Sequence, residues 1–160
     1  MQKSDYPITP GVRLLRDNKI AFQPHLYPFV DHGGTKHASA VLGVSEHAVI
    51  KTLVMETESR KHFLVLMHGD MEVSTRQLAR IIGTKHVNPC DMATAQKLTG
   101  YLVGGISLFG TRKDLPVYVE RTVLSLEKIY INGGKRGFLI EMNPQDLRRV
   151  LDVTEIDAGI

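Results

Sequence analysis

Lys51 is the residue whose setting most needs a chemical explanation. It lies in the middle of Ala48-Val49-Ile50-Lys51-Thr52-Leu53-Val54-Met55, a run that is apolar on both sides of it. Strand alternation puts it on one face with Val49, Leu53 and Met55. A lysine in such surroundings needs a partner or a task, because an unpaired ammonium among apolar side chains is costly. The alternative is a lysine that snorkels from an edge strand. Two glycine-rich segments are the next candidates. In Gly100-Tyr101-Leu102-Val103-Gly104-Gly105-Ile106-Ser107 the adjacent glycines imply that backbone passes close to something. If that is a ligand, exposed N–H groups there could hold a carbonyl oxygen or an oxyanion. If it is another strand, the segment is a tightly packed turn. Asn132-Gly133-Gly134-Lys135-Arg136-Gly137 lacks the glycine–lysine spacing of a phosphate loop. It could form an anion-binding backbone nest flanked by two cations, or a hairpin turn with solvated charges.

The usual nucleophile and metal signatures are missing. The seven histidines show no HExxH pattern, and the single cysteine allows no paired CxxC. His62 and His68 bracket an apolar run and read as its polar ends. His32 and His37 flank Gly33-Gly34 and read as structural or solvated. Cys90 directly precedes a helix cap, so nothing supports a Cys–His nucleophilic pair. No GxSxG elbow occurs. If the chain is an enzyme, it works by positioning a substrate that is already reactive, and no metal or cofactor is expected.

The elements that must hold these residues follow from local signals. Thr9-Pro10 starts a helix, with Leu14 and Leu15 facing the core. Ile20 to Tyr27 reads as a strand whose Pro24 confines it to an edge. Thr35 to Leu42 reads as a helix stopped by Gly43. The runs from Ala48 to Met55 and from His62 to His68 are apolar at odd and even positions, so both faces should be covered. Glu58 to Lys61 supplies the turn between them. Ser74-Thr75-Arg76-Gln77 has capping-box spacing, and Leu78, Ile81 and Ile82 share a helical face ending at Gly83. Asp91 caps a further helix that stops at Gly100. Strands are expected near Ile106, at Val117 to Val119, at Lys128 to Asn132 and at Gly137 to Met142. Asn143-Pro144 opens a last helix with Leu147, Val150 and Leu151 inward. This order lacks a βαβ rhythm and predicts an α+β domain with a central, largely antiparallel sheet.

Composition sets the frame. With 160 residues, 42% of them hydrophobic and 23% charged, the chain is sized for one globular domain. Residues 1–8 read as a flexible arm and 9–160 as the domain. No apolar run approaches the roughly 20 residues needed to span a bilayer. The first residues lack an apolar signal region, and one cysteine excludes an intrachain disulfide framework, so a cytoplasmic location is expected. A net charge of +3 suits a transient phosphate-bearing partner without requiring one.

Taken in order, Thr9-Pro10, Ile20-Ala21-Phe22-Gln23, Val49-Ile50-Lys51-Thr52-Leu53, Thr99-Gly100-Tyr101-Leu102-Val103-Gly104-Gly105-Ile106-Ser107 and Gly133-Gly134-Lys135-Arg136-Gly137 resemble the YbaK/EbsC/ProX family. The resemblance runs from about Thr9 to Val153. Members include the bacterial Cys-tRNA(Pro) deacylase and the editing insertion of prolyl-tRNA synthetases. It implies a curved, mixed, mostly antiparallel sheet flanked by helices. It also implies hydrolysis of the ester between an amino acid and the terminal adenosine of tRNA, without cofactor or metal. Lys51 matches the family's essential lysine, which positions substrate. Gly104 matches a glycine of the substrate-facing loop, where the Gly104-Gly105 backbone would receive the carbonyl oxygen. Tyr27 matches a pocket tyrosine, and Thr52, Ile106, Ser107, Asn132 and Leu139 would complete the substrate site. Lys135 and Arg136 could meet tRNA phosphate. The implied partners are the acceptor end of misacylated tRNA(Pro) and prolyl-tRNA synthetase.

The chain departs from the family pattern at three places. Leu139 stands where an aspartate follows the second glycine segment, Asn132 replaces a serine, and Leu108 replaces a proline. Leucine cannot hold a substrate ammonium by an ion pair, which leaves the amino-acid specificity open. Three readings follow: a trans-editing hydrolase, with Cys-tRNA(Pro) the first substrate to test; a non-catalytic module binding a tRNA end or a synthetase; and a hydrolase of another small acyl ester.

Overall fold

Helix boundaries are set by local hydrogen bonds. The computed structural model describes residues 5–160. The Thr9 side chain accepts from the Val12 N–H and Pro10 follows, which starts α1 (Pro10–Asp17). Helix α2 (Gly34–Leu42) stops at Gly43 in the left-handed conformation. Ser74 accepts from the Gln77 N–H to open α3 (Thr75–Ile82), and Asp91 accepts from the Thr94 N–H to open α4 (Met92–Thr99). Asn143 caps a short 3-10 turn, Pro144–Asp146, that leads into α5 (Leu147–Val150). Of the expected arm, residues 1–4 lie outside the described residues. Tyr6 packs onto the domain: its ring stacks on Phe138 at 5.8 Å and meets Phe22 edge-on at 6.0 Å.

Eight strands form one mixed sheet: β1 (Gln23–Leu26), β2 (Val49–Thr57), β3 (His62–His68), β4 (Val87–Pro89), β5 (Val117–Glu120), β6 (Ile129–Lys135), β7 (Phe138–Met142) and β8 (Val153–Ile156). The order is β1-β7-β6-β2-β3-β5-β8, with β4 added beside β2. Four pairings are antiparallel (β1–β7, β6–β7, β2–β3, β2–β4) and three are parallel (β2–β6, β3–β5, β5–β8). Pro24 lies on an edge strand, where its missing N–H costs no ladder bond.

Strand β2 is where the sheet forks. Its Val49 and Ile50 pair with β6, whereas Met55 to Thr57 pair with β4 on the same side. The Cys90 N–H donates to the Val54 carbonyl at 3.0 Å, which shows that even-numbered residues of β2 turn their peptide groups toward this side. The same alternation aims the N–H and C=O of Thr52 into the gap between β6 and β4.

Both faces of β2 and β3 are covered, as their unbroken apolar pattern requires. One face carries the main core, with Ile50, Val54, Leu64, Leu66, Phe109, Ile131 and Phe138 packed under α1 and α5. The other carries two smaller clusters. Val49, Tyr130 and Leu139 pack with Ala38 of α2, and Met55, Phe63 and Val65 pack with Leu78 of α3. Each such fully buried side chain contributes about 1.5–3 kcal/mol relative to exposure. Lys51 sits between the two smaller clusters, on the face of Val49 and Met55.

Three expectations change. No strand forms near Ile106. The Ser107 hydroxyl instead accepts from the Phe109 N–H, and the Tyr101 hydroxyl donates to the Phe109 carbonyl, which folds 101–109 into a loop with Tyr101 and 105–109 buried and Leu102 and Gly104 exposed. Strand β6 continues past Asn132 to Lys135 through an irregular register, so the second glycine segment is a bulged strand that ends in a two-residue hairpin turn, Arg136-Gly137, leading into β7. Gly133 is needed there because a Cβ would overlap the Phe138 ring. Strands β4 and β8 carried no sequence signal. β4 (Val87-Asn88-Pro89) and β8 (Val153-Thr154-Glu155-Ile156) are short and carry polar residues or proline in place of an apolar run, so neither shows a readable period.

Candidate active site

The fork at β2 opens into a cavity of about 480 Å³. Residues from both faces of the strand reach it: Lys51 and Leu53 from one, Ile50, Thr52 and Val54 from the other. An undivided sheet would keep these faces apart. The remaining wall comes from the loop after β1, from the β4–α4 junction and from the first glycine segment.

The Lys51 side chain is 20% exposed. Its Nζ donates to the Met71 carbonyl and lies 3.7 Å from the Glu72 carboxylate. A lysine ammonium has three N–H groups and only the one to Met71 is used in a hydrogen bond, so N–H groups remain for a ligand. The segment that receives Lys51 is itself fixed. Glu72 and Ile160 exchange backbone hydrogen bonds at 2.8 Å in both directions, and the Ser74 N–H donates to Ala158. Buried Glu120 in turn accepts from the N–H groups of Ala158 and Gly159 at 2.7 and 3.0 Å.

Thr52 contributes a second polar group. Its Oγ1 is buried and has no hydrogen-bond partner among the described residues. A buried hydroxyl without a partner costs free energy unless a ligand satisfies it. With the Thr52 peptide groups facing the gap, the cavity has an apolar lining and a few convergent polar groups, the usual form of a small-ligand site.

The glycine segment supplies less than its two adjacent glycines promised. Gly104 lines the cavity and has φ +94°, a conformation that favours glycine. Its carbonyl accepts from the Asn132 side chain at 3.0 Å, and its N–H makes no hydrogen bond among the described residues. Gly105 faces away. Its N–H donates to the Leu102 carbonyl at 2.8 Å, so it is not available to a substrate oxygen. A Cβ on Gly105 would lie 2.7 Å from the Arg136 nitrogen, so this glycine permits backbone packing against Lys135-Arg136.

The other expected site residues divide in the same way. Tyr27, Thr52, Ile106, Asn132 and Leu139 line the cavity. Burial raises the pKa of Tyr27, which keeps its hydroxyl protonated. Leu139 is 4% exposed and gives the wall an apolar patch. Ser107 is fully buried behind the loop and does not reach the cavity. Arg136 stands at the cavity: its Nε donates to the Val103 carbonyl at 2.9 Å and its guanidinium lies 5.3 Å from the Phe29 ring centre. Lys135 is exposed and outside the lining.

Sequence reading missed Phe29, His37 and Cys90 as cavity residues. The Nε2 of His37 bonds the Pro28 carbonyl at 2.8 Å, which fixes the loop carrying Phe29. Cys90 reaches the cavity only because β4 pairs with β2, and β4 is too short to foresee. Its thiol is pushed up to about 11 by burial and by Glu56 and Asp91, which removes it as a nucleophile near neutral pH.

Residues 33–150 match the model of the aminoacyl-tRNA editing domain family. An Enterococcus faecalis protein named "Putative Cys-tRNA(Pro)/Cys-tRNA(Cys) deacylase EbsC" is 26% identical over 138 residues, covering 86% of this chain and 84% of that protein. The proline–tRNA ligase of Thermodesulfovibrio yellowstonii is 35% identical over 155 residues; the match covers 92% of this chain but only 25% of the ligase. Among solved structures, "hypothetical protein APE2540" superposes with a TM-score of 0.86 at 23% identity, covering 95% of this chain and 100% of the other. A structure described as "a putative trans-editing enzyme for prolyl tRNA synthetase" gives 0.80 at 20% identity, covering 96% and 99%. These structural likenesses show the shared α+β fold. The chain belongs to the aminoacyl-tRNA editing domain family.

Proposed function

We propose that this chain is a trans-editing hydrolase that removes the amino acid from misacylated tRNA(Pro), with Cys-tRNA(Pro) as its first substrate. The observation that carries the reading is the Lys51 ammonium, held by Met71 and Glu72 at the wall of the cavity that Gly104 also lines. An aminoacyl ester is already activated, so orientation and stabilisation of developing negative charge are sufficient catalysis. Lys51 positions the tRNA end, and the Gly104 N–H and the Thr52 hydroxyl receive the ester oxygens. For a cysteinyl ester the substrate's own thiol attacks the carbonyl carbon. The ester C–O bond breaks, the thiol proton passes to the departing ribose oxygen, and water then opens the cyclic thioester. Arg136, beside the cavity, and Lys135, exposed next to it, meet phosphate near the acceptor end. Prolyl-tRNA synthetase is the partner that would supply the misacylated tRNA.

The test is release of amino acid from Cys-, Ala-, Ser- and Pro-charged tRNA(Pro). Wild type should act on Cys-tRNA(Pro), and Lys51→Ala should lose that activity with an unchanged circular dichroism spectrum. Equal turnover in the variant refutes the role of Lys51. The apolar Leu139 in the cavity favours a second reading, a non-catalytic module that binds the tRNA end. Tight tRNA binding by wild type with no release from any charged form would establish that reading instead.

A further inference from the structure

Where the β2–β3 hairpin meets the start of α4, a second group of side chains converges apart from Lys51 and the glycine segment. We propose that Glu56, His62 and Cys90 bind one divalent ion of the zinc class. Their ligand atoms all lie within 4.8 Å of one another, and all three residues are partly buried. His62 Nε2 and Glu56 Oε1 are 3.7 Å apart, too far for a hydrogen bond. Bonds of about 2.0–2.3 Å in a tetrahedral site separate neighbouring ligand atoms by about 3.3–3.8 Å. Small rotamer changes therefore complete the geometry.

Sheet register brings the three together. Glu56 and His62 are directly opposed in the β2–β3 pairing. The next pair is the hydrogen-bonded one, with the Thr57 N–H donating to the Lys61 carbonyl at 3.0 Å. Glu56 and His62 therefore occupy the closer, non-hydrogen-bonded position. Glu56 also opposes Asn88 of β4. Cys90, two residues on, bonds the Val54 carbonyl through its N–H and shares the face of Asn88 and Glu56. Ligands fixed on paired strands need little reorganisation to bind.

The ligand set selects the ion. A thiolate, an imidazole and a carboxylate suit zinc or cobalt, whereas sulfur disfavours magnesium and calcium. Three protein ligands leave a fourth position for water. On binding, the Cys90 thiol releases its proton to solvent and the sulfur–metal bond forms; no electron is transferred. Asp91, adjacent in sequence, adds negative charge nearby. The ion would clip the hairpin to the β4–α4 junction. That junction carries Met92, a cavity residue, so the same ion would stiffen one wall of the aminoacyl cavity.

The full chain, reduced and freed of metal, is titrated with cobalt(II) and then with zinc(II). Wild type should bind one cobalt ion, show a thiolate-to-cobalt charge-transfer band in the near ultraviolet, and melt at a higher temperature with zinc. Cys90→Ser should lose the band and the thermal shift. His62→Ala and Glu56→Gln should each weaken binding by about tenfold or more. His25→Ala, on β1, should leave binding unchanged. Folding of each variant is checked by circular dichroism, and should Cys90→Ser not fold, the affinity loss in His62→Ala decides. A missing band in wild type, a band retained in Cys90→Ser, or equal weakening by His25→Ala overturns the proposal.

Discussion

The Asn132 side chain joins the two glycine segments. Its amide donates to the Gly104 carbonyl at 3.0 Å, and its oxygen accepts from the Gly134 N–H at 2.9 Å. Asn132→Asp keeps the acceptor for Gly134 and loses the donor to Gly104. We expect a stability loss of about 0.5–1.5 kcal/mol in urea unfolding, with a larger fractional loss in deacylation because Gly104 is freed to move. Equal activity in Asn132→Asp would show that Gly104 needs no such restraint.

Thr52 offers a separation of stability from function. Replacing its unpartnered Oγ1 by the methyl of valine removes a buried, unsatisfied hydroxyl. Thr52→Val should therefore leave the free protein as stable or more stable, by up to about 1–3 kcal/mol. It should also reduce release of amino acid from charged tRNA. A destabilised variant would mean that Thr52 has a partner in solution.

Glu120 acts on Lys51 from a distance. Its carboxylate holds Ala158 and Gly159 in the 158–160 segment, which bonds Glu72 and Ser74, next to Met71, whose carbonyl accepts from the Lys51 amine. Glu120→Gln places an amide N–H against a backbone N–H and should cost about 1–3 kcal/mol of stability. It should also raise KM for charged tRNA more than it lowers kcat, as expected when positioning is loosened. Unchanged kinetics would disconnect the 158–160 segment from the site.

Acid should weaken the fold through His68. This imidazole is fully buried, bonds the His47 carbonyl and the Thr122 hydroxyl at 2.7 Å each, and stacks on His47 at 3.7 Å. Burial, opposed in part by the bond to His47, holds its pKa below the ordinary imidazole value. Above about pH 6.5 both folded and unfolded chains are neutral at His68, and it adds no pH dependence. As pH falls below that value the unfolded chain takes up the proton first, so stability drops until the lowered folded pKa is passed. Tm should fall over this window in wild type, and more steeply than in His68→Gln. Parallel curves would assign the slope to other groups.

The sequence determined those parts of the molecule that depend on neighbours along the chain. Thr9-Pro10, Ser74 and Asp91 open helices and Gly43, Gly83 and Gly100 close them, because caps are local hydrogen bonds. The unbroken apolar runs around β2 and β3 disclosed a sheet covered on both faces, and the isolated lysine within one of them, Lys51, lines the cavity. The tertiary structure decided what depends on which strands become neighbours. The fork that lets both faces of β2 share a cavity arises because β6 and β4 take different halves of one strand edge. Pairing also put Cys90 beside Glu56 and His62, residues that no spacing rule connects. The two adjacent glycines looked alike in sequence, yet one meets the cavity and the other meets backbone, because a peptide group turned toward one neighbour is turned away from the next.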